Sequence, residues 1–519
     1  MSPKKMAAVA AVAAVAAMLL AGTACSAAKQ NPGQAANAAG PARNGGTLVV
    51  AQAFDPDPSS FLKTAIGNIA TEYAVFETLT LIDPQTAEPK GVLATSWDLA
   101  PDGKGMTVKL RDDVTFHSGR KLTAADVIFT LDKVKDPAVG AANQKIAAQI
   151  TSAQAKGDDQ VELTFAKPLP NIFDLFETMP ILNKDSYADY AAGKKVDGTG
   201  RFEWKSWTPG GKIELAKYAK YRDAGNTHLD AIEINVIKDP TALGSAVRSG
   251  RAQYALGLPP VDARSLGAQQ GFALVKSGGA AIDLGLNVTK PPFDNKSVRQ
   301  AVQYAIDRGR IVQQVEGGNG EASSVPWRTS TIGYDATVAG HYKYDQAKAK
   351  QLLAEAGVAP GTAFDVAMGD QPESQAIFQI VKNNLAAVGL NAKPVVLAIP
   401  DYEQKLATRS FATAAVLMQA SNGASPATAM VSRPELSASN NVTKFKSAEY
   451  STLAQAVMTA SSKADKEKAL HDFDAYFVDQ AFAVPLVTRP SNSVRSTSLN
   501  NIQPTQMGFL NLSQAWLSD

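Results

Sequence analysis

Histidine, cysteine and paired carboxylates carry much of protein catalysis and metal binding, and this sequence uses them in ways that do not combine into a reaction centre. Its four histidines, His117, His228, His341 and His471, are far apart and lack the close spacing of metal ligands. Cys25 is the single cysteine, so an intramolecular disulfide and a cysteine zinc site are both excluded. The acids Glu72 and Glu77, or Asp55 and Asp57, lie close in sequence, but spacing alone assigns no general acid and base. There is no G-x-S-x-G, H-E-x-x-H or P-loop. The residues therefore point to a protein that binds without catalysing, and no cofactor or metal is expected.

The lone thiol has another chemistry available. Lys4 and Lys5 precede an apolar run from Met6 to Leu20, and Ala21-Gly22-Thr23-Ala24 leads into Cys25. A short positive start, an apolar core and small residues before a cleavage point make a secretory signal. The approach to the cysteine resembles a bacterial lipobox, with Thr23-Ala24 where Ala-Gly is commoner, which implies cleavage before Cys25 and a lipid on that residue. The apolar run is dominated by weakly hydrophobic alanine and suits a cleaved leader better than a permanent span of a ~30 Å hydrocarbon core. Residues 25–44 are rich in Ala, Asn, Gln and Gly without apolar periodicity and are expected to form a flexible tether. The chain has 51 Lys and Arg against 49 Asp and Glu, and without Lys4 and Lys5 the two are equal. Such a balance offers no basic face to nucleic acid or to an anionic membrane.

The 519 residues are enough for two or three domains, and their periodicity is mixed. Apolar alternation marks strands at Leu48 to Ala51, Val108 and Leu110, Val161 to Phe165, and Ile232 to Val236. Helical spacing joins Val298, Ala301, Val302, Ala305 and Ile306, and again Ala349, Leu352, Leu353 and Ala356 between an Asp345 N-cap and a Gly357 C-cap. From Phe364 the order is strand 364–368, helix around Ile377 to Leu385, strand 395–397, short helix from Asp401 and strand 414–418. That alternation predicts a largely parallel sheet with a ligand crevice at the carboxyl ends of its strands.

Several segments resemble one family in order. Between Glu72 and Val134 the chain has Phe76-Glu77-Thr78-Leu79, Leu93-Ala94-Thr95-Ser96-Trp97, Asp102-Gly103, Leu110-Arg111 through Val114, Phe116-His117-Ser118-Gly119, and Thr123-Ala124-Ala125-Asp126-Val127. Further blocks occur at Gly198-Thr199-Gly200 through Lys212, Pro291-Pro292-Phe293-Asp294 through Arg308, Tyr344-Asp345 through Gly357, and Ala483-Val484-Pro485-Leu486. Together they resemble the family 5 extracellular solute-binding proteins of bacterial ABC importers, which include dipeptide, oligopeptide and nickel-complex binders. Most of these residues are expected to build the fold: Trp97 and Phe116 as core, Gly103 and Gly119 as turns, and Thr123 with Asp126 as a helix start.

The resemblance implies an α/β class II periplasmic-binding fold, two lobes joined by hinges near 284 and 486, with an extra subdomain in the first lobe. Lobe I is expected at 45–77, 198–283 and 486–519, the inserted subdomain at 78–197, and lobe II at 284–485. It also implies a lipid-anchored, extracytoplasmic monomer that closes on a small or peptide-like solute and delivers it to permease subunits. A cell-surface hydrolase and a structural lipoprotein are the alternatives. In peptide-binding relatives, the segment matching Val416 to Pro426 looks like W-x-x-D followed by D-P, the first acid meeting the peptide ammonium. Here Ser421 and Ser425 stand at the acid positions, with Asn422 between them. Hydroxyls do not replace a carboxylate's charge, so free-amine peptides are disfavoured unless an acid such as Asp55, Asp370 or Glu373 substitutes. Ser421, Asn422 and Ser425 are the expected polar contacts; Phe54, Trp327 and Arg328 are further ligand-binding candidates.

Overall fold

The computed structural model of the protein describes residues 41–63, 66–83, 86, 88–193, 195–421 and 423–518. Cys25 and Asn422, two residues singled out above, lie outside the described residues. In chain order the strands that organise the fold are β1 (Thr47–Gln52), β2 (Ala94–Leu99), β3 (Gly105–Leu110), β4 (Ile150–Ala155), β5 (Gln160–Phe165), β6 (Phe202–Trp207) and β7 (Lys212–Lys217). They continue as β8 (Ala231–Val236), β9 (Tyr254–Leu256), β10 (Phe272–Leu286), β11 (Thr362–Gly369), β12 (Leu390–Leu397), β13 (Ala415–Ser421) and β14 (Ala483–Ser496). The helices that matter here are α1 (Ala124–Lys135), α2 (Ile172–Glu177), α3 (Lys296–Ala305), α4 (Gln346–Glu355), α5 (Pro372–Ala387), α6 (Ile399–Thr408), α7 (Pro426–Ser432), α8 (Ala448–Thr459) and α9 (Lys463–Gln480).

Local signals act where the sequence places them. Thr123 and Asp126 form a reciprocal capping box at the start of α1, satisfying two otherwise orphan backbone donors. Asp345 caps α4 by accepting from the Lys348 amide, and Gly357 beyond it takes φ +69°, a conformation costly for other residues. Phe116 is fully buried, and Trp97 packs edge-on against Phe173.

Ten strands form one sheet in the order β12-β11-β13-β10-β14-β9-β1-β8-β7-β6. The β-α-β-α-β run yields the parallel trio β12-β11-β13, as its alternation requires. Parallel order is interrupted there, because β10 pairs antiparallel with both β13 and β14, and β14 antiparallel with β9; it resumes in β9-β1-β8, where β1 is parallel to both neighbours. The expectation of a largely parallel sheet thus holds for two trios, β12-β11-β13 and β9-β1-β8, and fails where β10, β14, β7 and β6 pair antiparallel. The reason is topological: β10 and β14 are long strands that carry the chain out and back between the two ends of the sheet, and such a pair runs antiparallel. A separate antiparallel sheet, β2-β3-β5-β4, forms the inserted layer.

Apolar clusters follow these ends. One gathers Leu48, Val50, Phe76, Phe116, Leu163, Phe176 and Ile232; another gathers Leu284, Leu286, Phe293, Val302, Leu385, Leu486 and Val487. A third, around Trp327, Tyr450, Phe473 and Phe482, lies beneath α8 and α9. Between the first two the β10–β14 pairing is irregular, its register shifting between Ser277 and Ala280. Gly278 and Gly279 have φ +46° and +129°, and a Cβ on Gly279 would lie 2.0 Å from the Arg489 carbonyl oxygen. Only glycine fits that crossing.

Candidate functional site

One cavity borders this irregular crossing, and a second adjoins it through Arg328. The first, of about 330 Å³, is lined by Lys276, Gly278, Glu321, Arg328, Arg489 and Gln506 among others. The other, of about 130 Å³, is lined by Asp174, Arg328, Ser425, Pro426, Lys466 and Gln506 among others. Arg328, Ser330 and Gln506 belong to both, so the two spaces share a wall. The first is charged; the second joins apolar surface from Ile332, Pro426 and Val457 to a few polar groups, the usual make-up of a small-molecule site.

Arg328 is the common element. Its Nη1 donates to the Gly278 carbonyl at 3.1 Å, and its buried Nε has no partner among the described residues. Burial holds its guanidinium below the usual arginine range, with Glu321 opposing the shift. Glu321 itself is occupied by the Thr329 amide and hydroxyl at 3.1 and 2.9 Å. A guanidinium with free donors in a partly dry cleft suits a carboxylate or another planar acceptor. Arg489, in the same wall, is ion-paired, its Nε 3.1 Å from Glu316 and its Nη2 2.8 Å from Glu373, although its buried Nε makes no hydrogen bond among the described residues. Burial pushes Glu316 up to about 8 despite Arg489.

The other candidates separate. Ser425 is the N-cap of α7 and lines the smaller cavity with Arg328. Ser421 ends β13, exposed, opposite Ala280 and so beside the segment that Arg328 holds. Phe54 is 42% exposed on the loop after β1, against Gly257, and lines neither cavity. Trp327 is 2% exposed; its Nε1 donates to Asp474 at 2.6 Å and Phe473 lies 6.4 Å from its ring. Its ring is a core element with no free face for stacking. Adjacent residues thus divide the work, with Trp327 anchoring the segment in the core while Arg328 faces the cleft.

An acid does stand beside Ser425, and it is none of the three that the sequence suggests. Asp55 is held by the Trp207 indole and the Gly210 amide, and Glu373 by Arg489. The acid is Asp174 of α2, whose Oδ2 accepts from the Ser425 amide at 3.1 Å and the Ser425 hydroxyl at 2.6 Å. The Thr428 hydroxyl donates to the same oxygen at 2.5 Å. Burial raises its carboxyl above the usual range. No local signal marks Asp174, since Ile172, Leu175 and Phe176 make α2 read as an ordinary core helix with an acid in its first turn. Lys276, Glu321 and Gln506 were missed as well, because isolated polar residues in long segments carry no spacing. The Gly278-Gly279 pair inside a strand was the one available clue to the crossing.

A third cavity, about 430 Å³, shares no lining residue with these two. Its guanidiniums are already matched, Arg222 to Glu77 at 2.6 Å, Arg111 to Asp113 at 2.6 Å and Arg201 to Asp223 at 3.0 Å. Among the described residues no cluster of His, Cys, Asp and Glu could hold a metal ion, and no helix is long and apolar enough to cross a membrane.

The family description "Bacterial extracellular solute-binding proteins, family 5 Middle" matches residues 88–441. Glutathione-binding protein GsiB of Escherichia coli K12 is 28% identical over 313 residues, 59% of this chain and 60% of that protein. The chain thus spans about 60% of the length of the curated relatives it matches. Among solved structures, the periplasmic binding protein DppA of Helicobacter pylori, in complex with the peptide STSA, has 23% identity and a TM-score of 0.76 over 92% of this chain and 99% of its own. AgaA of A. tumefaciens R10, in complex with agropinic acid, has 22% identity and a TM-score of 0.75 over 91% and 99%. The likeness to these structures is one of fold, the two-lobed class II periplasmic-binding architecture.

Proposed function

Because the chain belongs to the bacterial extracellular solute-binding proteins of family 5, we propose that it captures a peptide-like or other small polar solute outside the cytoplasm and delivers it to an ABC importer. In this reading it acts as a monomer tethered through a lipid on Cys25 and residues 25–44, and it has no catalytic role. Lobe I comprises 45–77, 198–283 and 486–519, with the subdomain 78–197 inserted, and lobe II comprises 284–485. Bending falls along β10 and β14 where their register shifts, at Ser277–Ala280 opposite Arg489–Pro490 and at Ile282–Asp283 opposite Pro485–Val487, the second beside the expected hinges near 284 and 486. The solute lies against the crossing, a carboxylate on Arg328 and hydrogen-bonding groups on Ser421, Asn422 and Ser425.

The observation that carries the reading is Arg328, a guanidinium with an unpartnered nitrogen on the wall common to two cavities. Peptides, glutathione and agropinic acid all bear carboxylates, so the ligands named for the relatives share the group that Arg328 would receive. Closure can be driven only by contacts better made in the closed form. Calorimetry, thermal unfolding and small-angle scattering with glutathione, the peptide STSA and agropinic acid test this. A solute at about 100 times its dissociation constant should add about 2.7 kcal/mol of stability and reduce the radius of gyration. Arg328→Met should abolish both effects. Stabilisation without compaction, or full binding by the Met variant, would refute the hinge or the anchor respectively.

A further inference from the structure

Asp174 is 3% exposed, and every hydrogen bond its carboxylate receives comes from a neutral group of Ser425 or Thr428 across the cleft. All three converge on Oδ2, while Oδ1 has no partner among the described residues. Asn171, one turn earlier, donates to the Thr428 hydroxyl at 3.0 Å, so α2 is pressed against the start of α7. Lys466 shares the cavity and lowers the carboxyl's proton affinity through space, but it makes no ion pair with Asp174. A carboxylate has about four lone-pair sites. A buried one with no directly bound cation is held at a cost that a cationic ligand would relieve and a neutral ligand would not.

The position adds a second argument. Ser425, to which Asp174 is bound, stands at the second of the two positions where peptide-binding relatives are expected to carry an acid, four residues beyond Ser421 at the ammonium-binding position. The charge that the α7 cap lacks is supplied from the opposite side of the cleft, by the inserted subdomain. We propose that Asp174 is a specificity residue that receives a cationic group of the solute, so that the cleft selects zwitterions with the cation at Asp174 and the carboxylate at Arg328. This rests on the reading of the cleft as a solute site. It also supplies a substituting acid, the condition under which the sequence no longer disfavours a free amine.

The test uses matched probes, the peptide STSA and glutathione, each with its free amine and N-acetylated, titrated into the protein by calorimetry. The free amines should bind at least tenfold tighter than the acetylated forms. Asp174→Asn, which keeps an acceptor for Ser425 and Thr428 and removes the charge, should erase that difference by weakening the free amines alone. Acetylated forms that bind the wild-type protein as tightly as the free amines would overturn the inference while leaving the cleft reading intact. Equal weakening of both forms in the variant would assign Asp174 to holding the lobes together and overturn it too. No binding by any of the four probes would remove the proposed site itself and the inference with it. The wild-type comparison requires no variant, so the inference stays falsifiable if Asp174→Asn destabilises the protein.

Discussion

Replacing Arg433 with methionine should be among the most destabilising single changes in the protein. Its side chain is 2% exposed; its Nη2 lies 2.5 Å from Asp283 Oδ2 and its Nε 2.6 Å from Glu435 Oε1. Its Nη1 donates to the Pro326 carbonyl at 2.8 Å, and the guanidinium sits 5.9 Å from the Trp327 ring centre. Methionine fills similar volume and leaves two buried carboxylates without their cation. Removing one partner of such a group costs about 3–5 kcal/mol. The loss should depend on pH. Burial pushes Asp283 up to about 7 even beside the guanidinium, so without Arg433 it holds a proton more tightly. Asp283 is raised above its unfolded value near 3.9, so its contribution is present at low pH and lost as pH rises through the folded value. With 1.36 kcal/mol per unit, the variant's deficit should be about 1 kcal/mol smaller at pH 5 than at pH 7.5. Urea unfolding at both values, with m checked for constancy, measures it. Adding Asp283→Asn and Glu435→Gln should recover much of the loss, because no charge is then stranded. A deficit under about 1 kcal/mol at pH 7.5 would refute the reasoning, as the stranded-charge cost would be absent.

Glu177→Gln should flatten the pH dependence of stability. Burial, with Asp174 adding to it, pushes Glu177 up to about 8 against ~4.3 unfolded, so stability is present below the unfolded value and falls by up to about 1.4 kcal/mol per unit as pH rises toward 8. Urea unfolding at pH 5, 6.5 and 8 checks this, and an unchanged slope counts against it. Cys25→Ala should prevent lipid labelling and release the protein from membranes; persistent palmitate incorporation in the variant would exclude this anchor.

What the sequence made legible was what repeats with a short period. Apolar alternation located β1, β3, β5 and β8, and the spacing of Val298 to Ile306 located α3, because in each case one buried face imposes the pattern. The site was legible only in part. Ser425 and Arg328 meet at one cavity, but Trp327 belongs to the core, since an aromatic before a charged residue reads the same whichever of the two faces the ligand. Asp174 reaches Ser425 from a helix 251 residues earlier in the chain, a relation that no local pattern encodes. The long antiparallel pair of β10 and β14 escaped for the same reason.

That pair has a kinetic consequence. β14 stands between β10 and β9, and it is the last of the ten strands to be synthesised. Until residues 483–496 arrive, β12-β11-β13-β10 and β9-β1-β8-β7-β6 are two unsutured half-sheets with open edges. Contacts of such long sequence separation form slowly, because loop closure must precede them. A chain bound for export would therefore lack its seam while it is still being made, which favours the unfolded state that threading through a secretion channel demands. Shifting the β14 sequence toward the N-terminus by circular permutation would speed closure of the sheet and, by the same physics, slow export.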